Sequence, residues 1–378
     1  MQSVRLGGTG LQVSRIGFGG IPIQRVSDEE AQRIIRRAFD LGVTFFDTAH
    51  GYGTSEERIG KALEGVRDRI VLATKTPART RDEALEHLGL SCQRLRTDVI
   101  DLWQLHNVSS ERAYDEVTGP GGALEVAQEA YRRGIVRHIG VSSHSLDMAL
   151  KLTASGDFET IQFPFNYVTC EAEQKLIPLA IENDVGFIGM KPFAGGLLDD
   201  ARLALKYVLQ WDAVVPDPGI ETLADIEELV EILEGDVCLT EVERKEIDRI
   251  RAEVGHRFCR RCGYCLPCPV EIPIPAALGV DSFVRRFPRE RVLNSGMPRV
   301  VAKAGECLQC GACETRCPYG LPIREMLVEN IQAFEAMRAD DGDTDTAWDT
   351  NRNSKLRFVS QISVPDPYVP HPCPRSLR

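Results

Sequence analysis

The sequence predicts an α/β protein in which a (β/α)8 TIM barrel is followed by a smaller, mainly α-helical domain. Strand-like runs alternate with helical runs eight times over about 235 residues, which suits a barrel of this type. No GxGxxG turn follows the first strand, and this disfavours a doubly wound sheet. Three successive strands end at titratable residues, as expected for a barrel whose active site lies at the C-terminal ends of its strands.

The elements of the barrel follow one another from the first residues onward. A hairpin within residues 1–22 leads into the first strand, RIGFGG. Capping boxes at Ser27 and Thr54 predict helices that end at Leu41 and Leu63. The later elements are, in order, RIVLAT, a helix over 80–95, DVIDLWQL, the helix ALEVAQEAYRRG, HIGVS, TIQFPF, VGFIGM, AVVPD and a helix over 222–234.

Changes in composition divide the chain into four predicted segments. They are the barrel (1–239), a connecting helix (240–255), a cysteine-rich domain (256–335) and a polar linker with an extended C-terminal tail (336–378). Thr240 and Glu243 form a capping box at the start of the connecting helix. The linker is polar and low in aliphatic residues, and the tail is rich in proline.

The overall charge and the cysteine distribution restrict the function class. A net charge of −11 disfavours nucleic acid or an anionic membrane surface as a partner. No run approaches the ~20 apolar residues of a membrane span, and the first residues lack the apolar core of a signal peptide. Eight of the twelve cysteines lie in two tight clusters, unlike those of a secreted disulfide scaffold. These features predict a cytoplasmic protein.

Four titratable residues are expected to meet at the C-terminal face of the barrel. Asp47 and Tyr52 lie in FFDTAHGYG, Lys75 ends RIVLATK, and His106 ends VIDLWQLH. A carboxylate, a phenol, an ammonium and an imidazole suit acid/base chemistry. The alternative is a buried Asp–Lys pair that only ties two strands together, but the presence of Tyr52 and His106 at the same face favours catalysis.

Two cysteine runs predict an iron–sulfur domain. CRRCGYCLPCP contains Cys259, Cys262, Cys265 and Cys268, and CLQCGACETRCP contains Cys307, Cys310, Cys313 and Cys317. The second run fits the bacterial ferredoxin pattern at every position, whereas the first has one residue fewer before its last cysteine. Two zinc sites are the alternative, but zinc ribbons usually place two CxxC pairs well apart. We therefore predict two 4Fe–4S clusters in a helical, ferredoxin-like domain.

In the ferredoxin pattern, the fourth cysteine of each run typically binds the other cluster. The predicted ligands of cluster one are Cys259, Cys262, Cys265 and Cys317, and those of cluster two are Cys307, Cys310, Cys313 and Cys268.

Residues from about 3 to 235 resemble the aldo-keto reductase family. The resemblance is carried by LGGTGLQVSRIGFGG, GVTFFDTAHGYGTSEERIGKAL, RIVLATKT, LSCQRLRTDVIDLWQLH and GIVRHIGVSSHS. It implies a catalytic tetrad of Asp47, Tyr52, Lys75 and His106. In that tetrad Tyr52 is the acid, Lys75 lowers its pKa, Asp47 holds Lys75, and His106 orients the substrate oxygen.

The same resemblance implies a nicotinamide site at the barrel face. Its implied residues are Gly19, Gly20 and Ile21 under the ribose, Ser142, Ser143 and Gln162 at the carboxamide, Met190 on the ring, Lys191, Pro192, Phe193 and Gly195 at the pyrophosphate, and Glu227 and Glu228 at the adenine. Ser143 replaces the family's usual asparagine, and Met190 replaces a tyrosine found in many members. Where many members place Lys and Arg for the 2′-phosphate of NADP, this chain has Pro218 and Ala224, so NADH is favoured.

Together these features predict an oxidoreductase that interconverts a small carbonyl compound and an alcohol with NAD(P)H. The fused iron–sulfur domain would exchange electrons with a ferredoxin or a flavoprotein. The alternative is a nicotinamide-binding redox sensor or electron-transfer subunit in which the clusters are structural or serve a partner.

Overall fold

The structure, a computed structural model, describes residues 1–287 and 289–339. It divides the chain into two units, the first comprising Met1–Glu243 and the second beginning at Arg244. Most of the predicted linker and tail, residues 340–378, lies outside the described residues. No helix among the described residues is both long and apolar enough to cross a membrane.

The first unit begins with an antiparallel hairpin that closes one end of a barrel. Strands β1 (Ser3–Arg5) and β2 (Gln12–Ser14) form the hairpin, and a 3-10 turn at Gly7–Thr9 joins them. Leu6 and Val13 pack with Phe45, Val71 and other buried residues of the barrel strands. Burial of these apolar side chains seals the N-terminal end of the barrel.

Eight parallel strands form the barrel and are hydrogen-bonded in sequence order. They are β3 (Gly17–Gly19), β4 (Phe45–Asp47), β5 (Val71–Thr76), β6 (Ile100–Leu105), β7 (Val136–Ser142), β8 (Thr160–Pro164), β9 (Gly186–Met190) and β10 (Val214–Asp217). The barrel closes where Gly19 N donates to Pro218 O at 2.8 Å and Ile220 N donates to Gly19 O at 3.3 Å. The predicted fold class is confirmed.

The helices of the first unit pack around the strands. They are α1 (Asp28–Asp40), α2 (Ser55–Ala62), α3 (Arg81–Leu95), α4 (Glu111–Thr118), α5 (Ala123–Arg132), α6 (Leu146–Ala154), α7 (Leu176–Glu182), α8 (Ala201–Leu209) and α9 (Leu223–Glu234). Helix α1 shows the pattern that places them: Ala31, Ile34, Ile35 and Ala38 form one buried stripe at helical spacing.

The two predicted capping boxes in the first half of the barrel have different outcomes. Ser27 caps α1 by accepting a hydrogen bond from Glu30 N at 3.1 Å. Thr54 precedes α2 but makes no capping hydrogen bond, so a box there is wrong. Thr54 has φ −84° and ψ 2°, near the helical region, whereas a capping side chain reaches the helix N–H groups from extended backbone.

The regular structure among the described residues of the second unit consists of helices joined by loops. Its helices are α10 (Glu241–Val254), α11 (Ile274–Ala277), α12 (Val280–Arg286), α13 (Arg289–Leu293), α14 (Met297–Ala304), α15 (Ala312–Thr315) and α16 (Ile323–Ala339), of which α10 begins in the first unit. Thr240 and Glu243 do form a capping box at α10. Helix α16 continues to Ala339, so residues 336–339 are helical rather than part of a linker.

Two apolar clusters hold the second unit together. One packs Ile272, Ile274, Leu321 and Leu327 beside the cysteines. The other packs side chains of α12, α14 and α16, including Val280, Val301 and Phe334. The cysteine runs therefore lie in loops and a short helix that are anchored to a small apolar core.

Candidate functional site

The structure brings the four predicted catalytic residues to one end of the barrel. Asp47 is the last residue of β4, Lys75 is next to last in β5, and His106 directly follows β6. Tyr52 lies in the turn between β4 and α2. Because β4, β5 and β6 are parallel neighbours, their C-terminal ends meet at the same face.

Asp47 and Lys75 form a buried ion pair. Their side chains are only 3% and 1% exposed, and the Lys75 ammonium donates to Asp47 Oδ2. The same ammonium donates to the backbone oxygen of Thr48 at 2.7 Å. Burial lowers the pKa of Lys75, but the neighbouring acidic groups, Asp47 foremost, outweigh that effect and raise it above its ordinary value. Lys75 is therefore a fixed positive charge at neutral pH.

Tyr52 lies over this charge and beside His106. Lys75 Nζ lies 5.1 Å from the centre of the Tyr52 ring. The rings of Tyr52 and His106 meet edge to face, with their centres 5.8 Å apart and an angle of 80° between their planes. A positive charge at this distance favours the phenolate form of a tyrosine over the neutral phenol.

His106 is neutral at physiological pH. Burial lowers the pKa of the His106 imidazole to about 3, and the positive charge of Lys75 contributes next. Arg79 and Lys191 lower the pKa of His106 further. A neutral imidazole has one N–H donor, which suits a hydrogen bond to a substrate oxygen.

Two residues of this site are absent from the sequence prediction. Gln104 Nε2 donates to Asp47 Oδ1 at 3.1 Å, and the buried carboxyl of Asp217 accepts from Gln162 Nε2 at 3.2 Å. Gln104 and Asp217 are polar residues near the C-terminal ends of apolar strands. This is the signal that identified Lys75, and it could have identified both of them.

The residues expected at the nicotinamide carboxamide lie together. Ser142 ends β7, and its hydroxyl accepts from Asn107 N at 2.9 Å. Ser143 N donates to Gln162 O at 3.1 Å. The Gln162 side-chain nitrogen also bridges Asp47 Oδ2 and Asp217 Oδ2, each at 3.2 Å. Gln162 thus connects the carboxamide residues to the catalytic pair.

The glycines expected under the ribose lie where the barrel closes. Gly20 N donates to Asp47 O at 2.8 Å, and Ile21 begins the loop that follows. A Cβ atom on Gly19 would lie 2.6 Å from Pro218 O, so a larger residue would push apart the strands that close the barrel.

The segment expected at the pyrophosphate forms a tight turn after β9. Met190 ends that strand, and Pro192 and Phe193 continue from it. Lys191, Ala194 and Gly195 have φ values of 57°, 47° and 75°, so the backbone reverses direction sharply. Lys191 Nζ lies 2.8 Å from His144 Nε2. The side chain of Phe193 packs against the outer apolar layer of the barrel.

The two residues expected at the adenine lie on the exposed face of α9. Glu227 pairs with Arg37 of α1 at 2.8 Å, and Glu228 is exposed on the same helix. In the loop before α9, Glu221 pairs with Arg25 at 3.0 Å. Arg25, a cation beside the loop after β10, is therefore paired with a carboxylate.

In the second unit, four cysteines from both runs line one pocket. Cys268, Cys307, Cys310 and Cys313 surround about 370 Å³ of space, part of it open to solvent. Thiols are the ligands of iron–sulfur clusters and of many zinc sites. Among the described residues, however, no group of three or more His, Cys, Asp or Glu side chains is placed to hold a metal ion. The four cysteines that line the pocket are those predicted for cluster two, and Cys268 is the one that comes from the first run.

The other cysteines also lie near one another. Burial raises the pKa of the Cys259 thiol, and the neighbouring Cys262 and Cys317 raise it further. Burial, Cys259 and Cys262 raise the pKa of Cys265 to about 12. Cys317 of the second run is therefore close to the first run, as the predicted ligand set of cluster one requires.

Comparison with known proteins identifies both parts of the chain. The Aldo/keto reductase family model matches residues 15–210, which is more than half of the chain. The chain belongs to the aldo/keto reductase family. A model for a 4Fe-4S dicluster domain matches residues 258–322. The protein is therefore an NAD(P)H-dependent oxidoreductase of the aldo/keto reductase type with a fused iron–sulfur domain.

Individual aldo/keto reductases resemble the barrel over most of their own length. The aldo-keto reductase YhdN of Bacillus subtilis (strain 168) is 33% identical over 231 residues, which cover 56% of this chain and 68% of YhdN. Aldo-keto reductase AKR11C1 from Bacillus halodurans (holo form) has a TM-score of 0.59 and 26% identity, covering 66% of this chain and 96% of its own.

A third aldo/keto reductase, from Klebsiella pneumoniae, was solved in complex with NADP and acetate. Its TM-score is 0.57 at 24% identity, and the match covers 66% of this chain and 95% of the Klebsiella protein. This likeness shows the fold of the barrel.

Proposed function

We propose that this protein reduces a small carbonyl compound, or oxidises the corresponding alcohol, with Tyr52 as the proton donor or acceptor. The observation that carries the proposal is the buried Asp47–Lys75 pair beneath Tyr52, with neutral His106 at its side. A pair that only tied β4 to β5 would not need a phenol and an imidazole at the same strand ends.

The charges of the site account for the proton transfer. Bound reduced nicotinamide supplies the hydride to the carbonyl carbon. Tyr52 gives its proton to the carbonyl oxygen, although a free phenol with a pKa near ~10 is a poor acid. The Lys75 ammonium stabilises the phenolate that forms, and Asp47 keeps that ammonium in place. His106 donates a hydrogen bond to the same oxygen and orients it.

The buried polar groups at the barrel face fit a nicotinamide. Gln162 Oε1 is buried and has no hydrogen-bond partner among the described residues. A carboxamide N–H would satisfy this oxygen, which is otherwise costly to bury. The hydroxyl of Ser142, at the end of the neighbouring strand, lies on the same side and would hold the other end of the carboxamide.

The protonation state of His106 gives a testable pH dependence. Because the pKa of His106 is lowered to about 3, its imidazole remains neutral from pH 5 to pH 8. We expect kcat/KM for an aldehyde to show no inflection from this residue in that range. The measurement is a pH–rate profile of the wild type and of His106→Gln. An inflection near pH 6.5 that disappears in the variant would contradict the neutral state.

Arg25 and Glu221 support a preference for NADH. A 2′-phosphate is best bound by a cation, and Arg25, which lies beside the loop after β10, is already paired with Glu221. We expect the Kd for NADH to be smaller than that for NADPH. Glu221→Gln removes the carboxylate that opposes a phosphate beside Arg25 and should strengthen NADPH binding by about tenfold, which is ~1.4 kcal/mol.

Glu231→Gln is the matched control when the Kd values for NADH and NADPH are measured by titration. This variant makes the same change on the exposed face of α9 and should leave both affinities as in the wild type. Tighter binding of NADPH than of NADH by the wild type would overturn the preference. An unchanged NADPH affinity in Glu221→Gln would show that Arg25 does not reach the phosphate.

We further propose that the cysteine domain holds two 4Fe–4S clusters that exchange electrons with a ferredoxin or a flavoprotein. The support is the match of residues 258–322 to a 4Fe-4S dicluster domain, the four cysteines of both runs that line one pocket, and the proximity of Cys317 to the first run. A hydride carries two electrons and each cubane passes one, so two reduced clusters balance one nicotinamide. A metal centre that only held the domain together would not need to be one of two.

Coupling between the clusters and the barrel reaction is testable in the full-length protein. The clusters are reduced with dithionite under argon, the excess is removed, and oxidised nicotinamide or a carbonyl substrate is added. Reoxidation of two clusters per nicotinamide or carbonyl reduced, followed by visible absorbance, would show internal coupling. If the clusters stay reduced with every substrate that the barrel turns over, internal coupling is wrong, and the clusters either serve an external partner or are structural.

A further inference from the structure

A second carboxyl lies inside the catalytic end of the barrel, next to the Asp47–Lys75 pair. Asp217 is the last residue of β10 and is 6% exposed. Its Oδ2 accepts from Gln162 Nε2, and the same nitrogen contacts Asp47 Oδ2, both at 3.2 Å. One amide group thus joins the two carboxyls.

The other oxygen of Asp217 is buried against the first barrel strand. A Cβ atom on Gly17 would lie 2.9 Å from Asp217 Oδ1, so glycine at that position makes room for this oxygen. No hydrogen-bond donor among the described residues reaches Oδ1. A buried carboxylate oxygen without a donor is unfavourable, whereas a protonated carboxyl carries less charge to solvate.

The charges around Asp217 also favour a protonated, neutral carboxyl group. The charged groups that face it are the Asp47 carboxylate and the Lys75 ammonium, and the ammonium is already paired with Asp47. A second carboxylate would leave one buried negative charge uncompensated. Burial and the Asp47 carboxylate raise the pKa of Asp217 well above its ordinary value, although Lys75 and Gln162 oppose them.

We propose that Asp217 is a positioning residue of the reductase site: as a neutral acid it donates a hydrogen bond to Asp47 and fixes the carboxylate that holds Lys75 beneath Tyr52. Asp47 accepts hydrogen bonds from Gln104, Gln162 and Lys75. The proposed bond from Asp217 is a fourth and leaves the Asp47 carboxylate little freedom to rotate. An ionised Asp217 would place a second negative charge near Tyr52 and make the Tyr52 proton harder to release. The neutral state avoids this effect. The inference rests on the proposed roles of Asp47 and Lys75.

Infrared spectroscopy tests the protonation state without reference to turnover. The full-length protein at neutral pH should show the carbonyl stretch of a protonated carboxylic acid, which shifts in D₂O. Asp217→Asn should lack this band. Asp212→Asn, with the same change at an exposed position before β10, should retain it. Absence of the band in the wild type, or its persistence in Asp217→Asn, would overturn the proposal even if the enzyme proves to be a carbonyl reductase.

Kinetics of two variants test the positioning role. Asp217→Ala removes the donor and should lower kcat by about 10²-fold, the loss typical of a misplaced catalytic group. The KM for the nucleotide should change much less. Asp217→Asn keeps an N–H donor of similar size and should recover most of this loss, to within about tenfold of the wild type.

The melting temperature of each variant shows whether a fall in kcat comes from unfolding or from a displaced Asp47 carboxylate. Equal kcat losses in folded Asp217→Ala and Asp217→Asn would overturn the role of the donor, and so would full activity in Asp217→Ala. If Asp217→Ala does not fold, the infrared band and the kcat of Asp217→Asn decide the question. A loss in Asp217→Asn as large as that in Tyr52→Phe would show that Asp217 acts as an anion.

Discussion

Tyr52→Phe is expected to lower kcat for aldehyde reduction by about 10²–10⁴-fold, the usual contribution of a positioned acid. The change removes one hydroxyl and leaves the ring that packs against His106. The Asp47–Lys75 pair also remains, so the Kd for the nucleotide should stay within a few-fold of the wild type. Steady-state rates and a fluorescence titration measure the two quantities separately.

Tyr131→Phe is the matched control for this experiment. Tyr131 lies on α5 and is 52% exposed, so the same loss of a hydroxyl there should leave kcat unchanged. Near-wild-type reduction by Tyr52→Phe would remove Tyr52 from the role of acid. A large loss of nucleotide affinity in that variant would instead indicate that Tyr52 supports binding.

Iron content is expected to fall by half when one cluster loses a ligand. The wild type, purified without oxygen, should hold about eight irons per chain, and Cys317→Ala about four. Cys262→Ala combined with Cys317→Ala should still hold about four irons, because both residues serve the same cluster. Cys310→Ala combined with Cys317→Ala should hold almost none, since each change disrupts a different cluster.

The two double variants distinguish crossed ligation from runs that close on themselves. If each run formed its own cluster, the results would be reversed: the pair Cys310 and Cys317 would keep about four irons, and the pair Cys262 and Cys317 would keep almost none. Cys92→Ala is the control, because Cys92 lies on α3 of the barrel and should not affect the iron count.

The sequence was most informative where one apolar run predicts both a barrel strand and the position of a site residue at its end. Lys75 and His106 follow apolar runs that could only be buried strands, and parallel strands place their C-terminal ends at one face. The barrel and the meeting of these side chains therefore followed from pattern alone. The iron–sulfur domain was equally clear, because the spacing of its cysteines is fixed by the cluster.

The residues that were missed depend on contacts between distant parts of the chain. The place of Asp217 at a strand end is a local signal, but its approach to Asp47 depends on β10 returning to β3 to close the barrel, which no local pattern reports. The ion pair between Glu227 and Arg37 also joins two helices that are distant in sequence, and the role of Glu227 at the adenine stays a prediction. Likewise, the cap expected at Thr54 depends on a backbone angle that the turn before α2 determines.

The most direct test of the account is to follow hydrogen from the nucleotide to the product. The protein is incubated anaerobically in ordinary water with an aldehyde and NADH that is deuterated at both C4 positions, and the alcohol is analysed by mass spectrometry. If the Tyr52 site catalyses the reduction, the alcohol should carry one deuterium on its carbinol carbon, and Tyr52→Phe should form this labelled alcohol far more slowly. Unlabelled alcohol, formed at the same rate by both proteins, would show that the electrons reach the substrate by another route and would contradict the account.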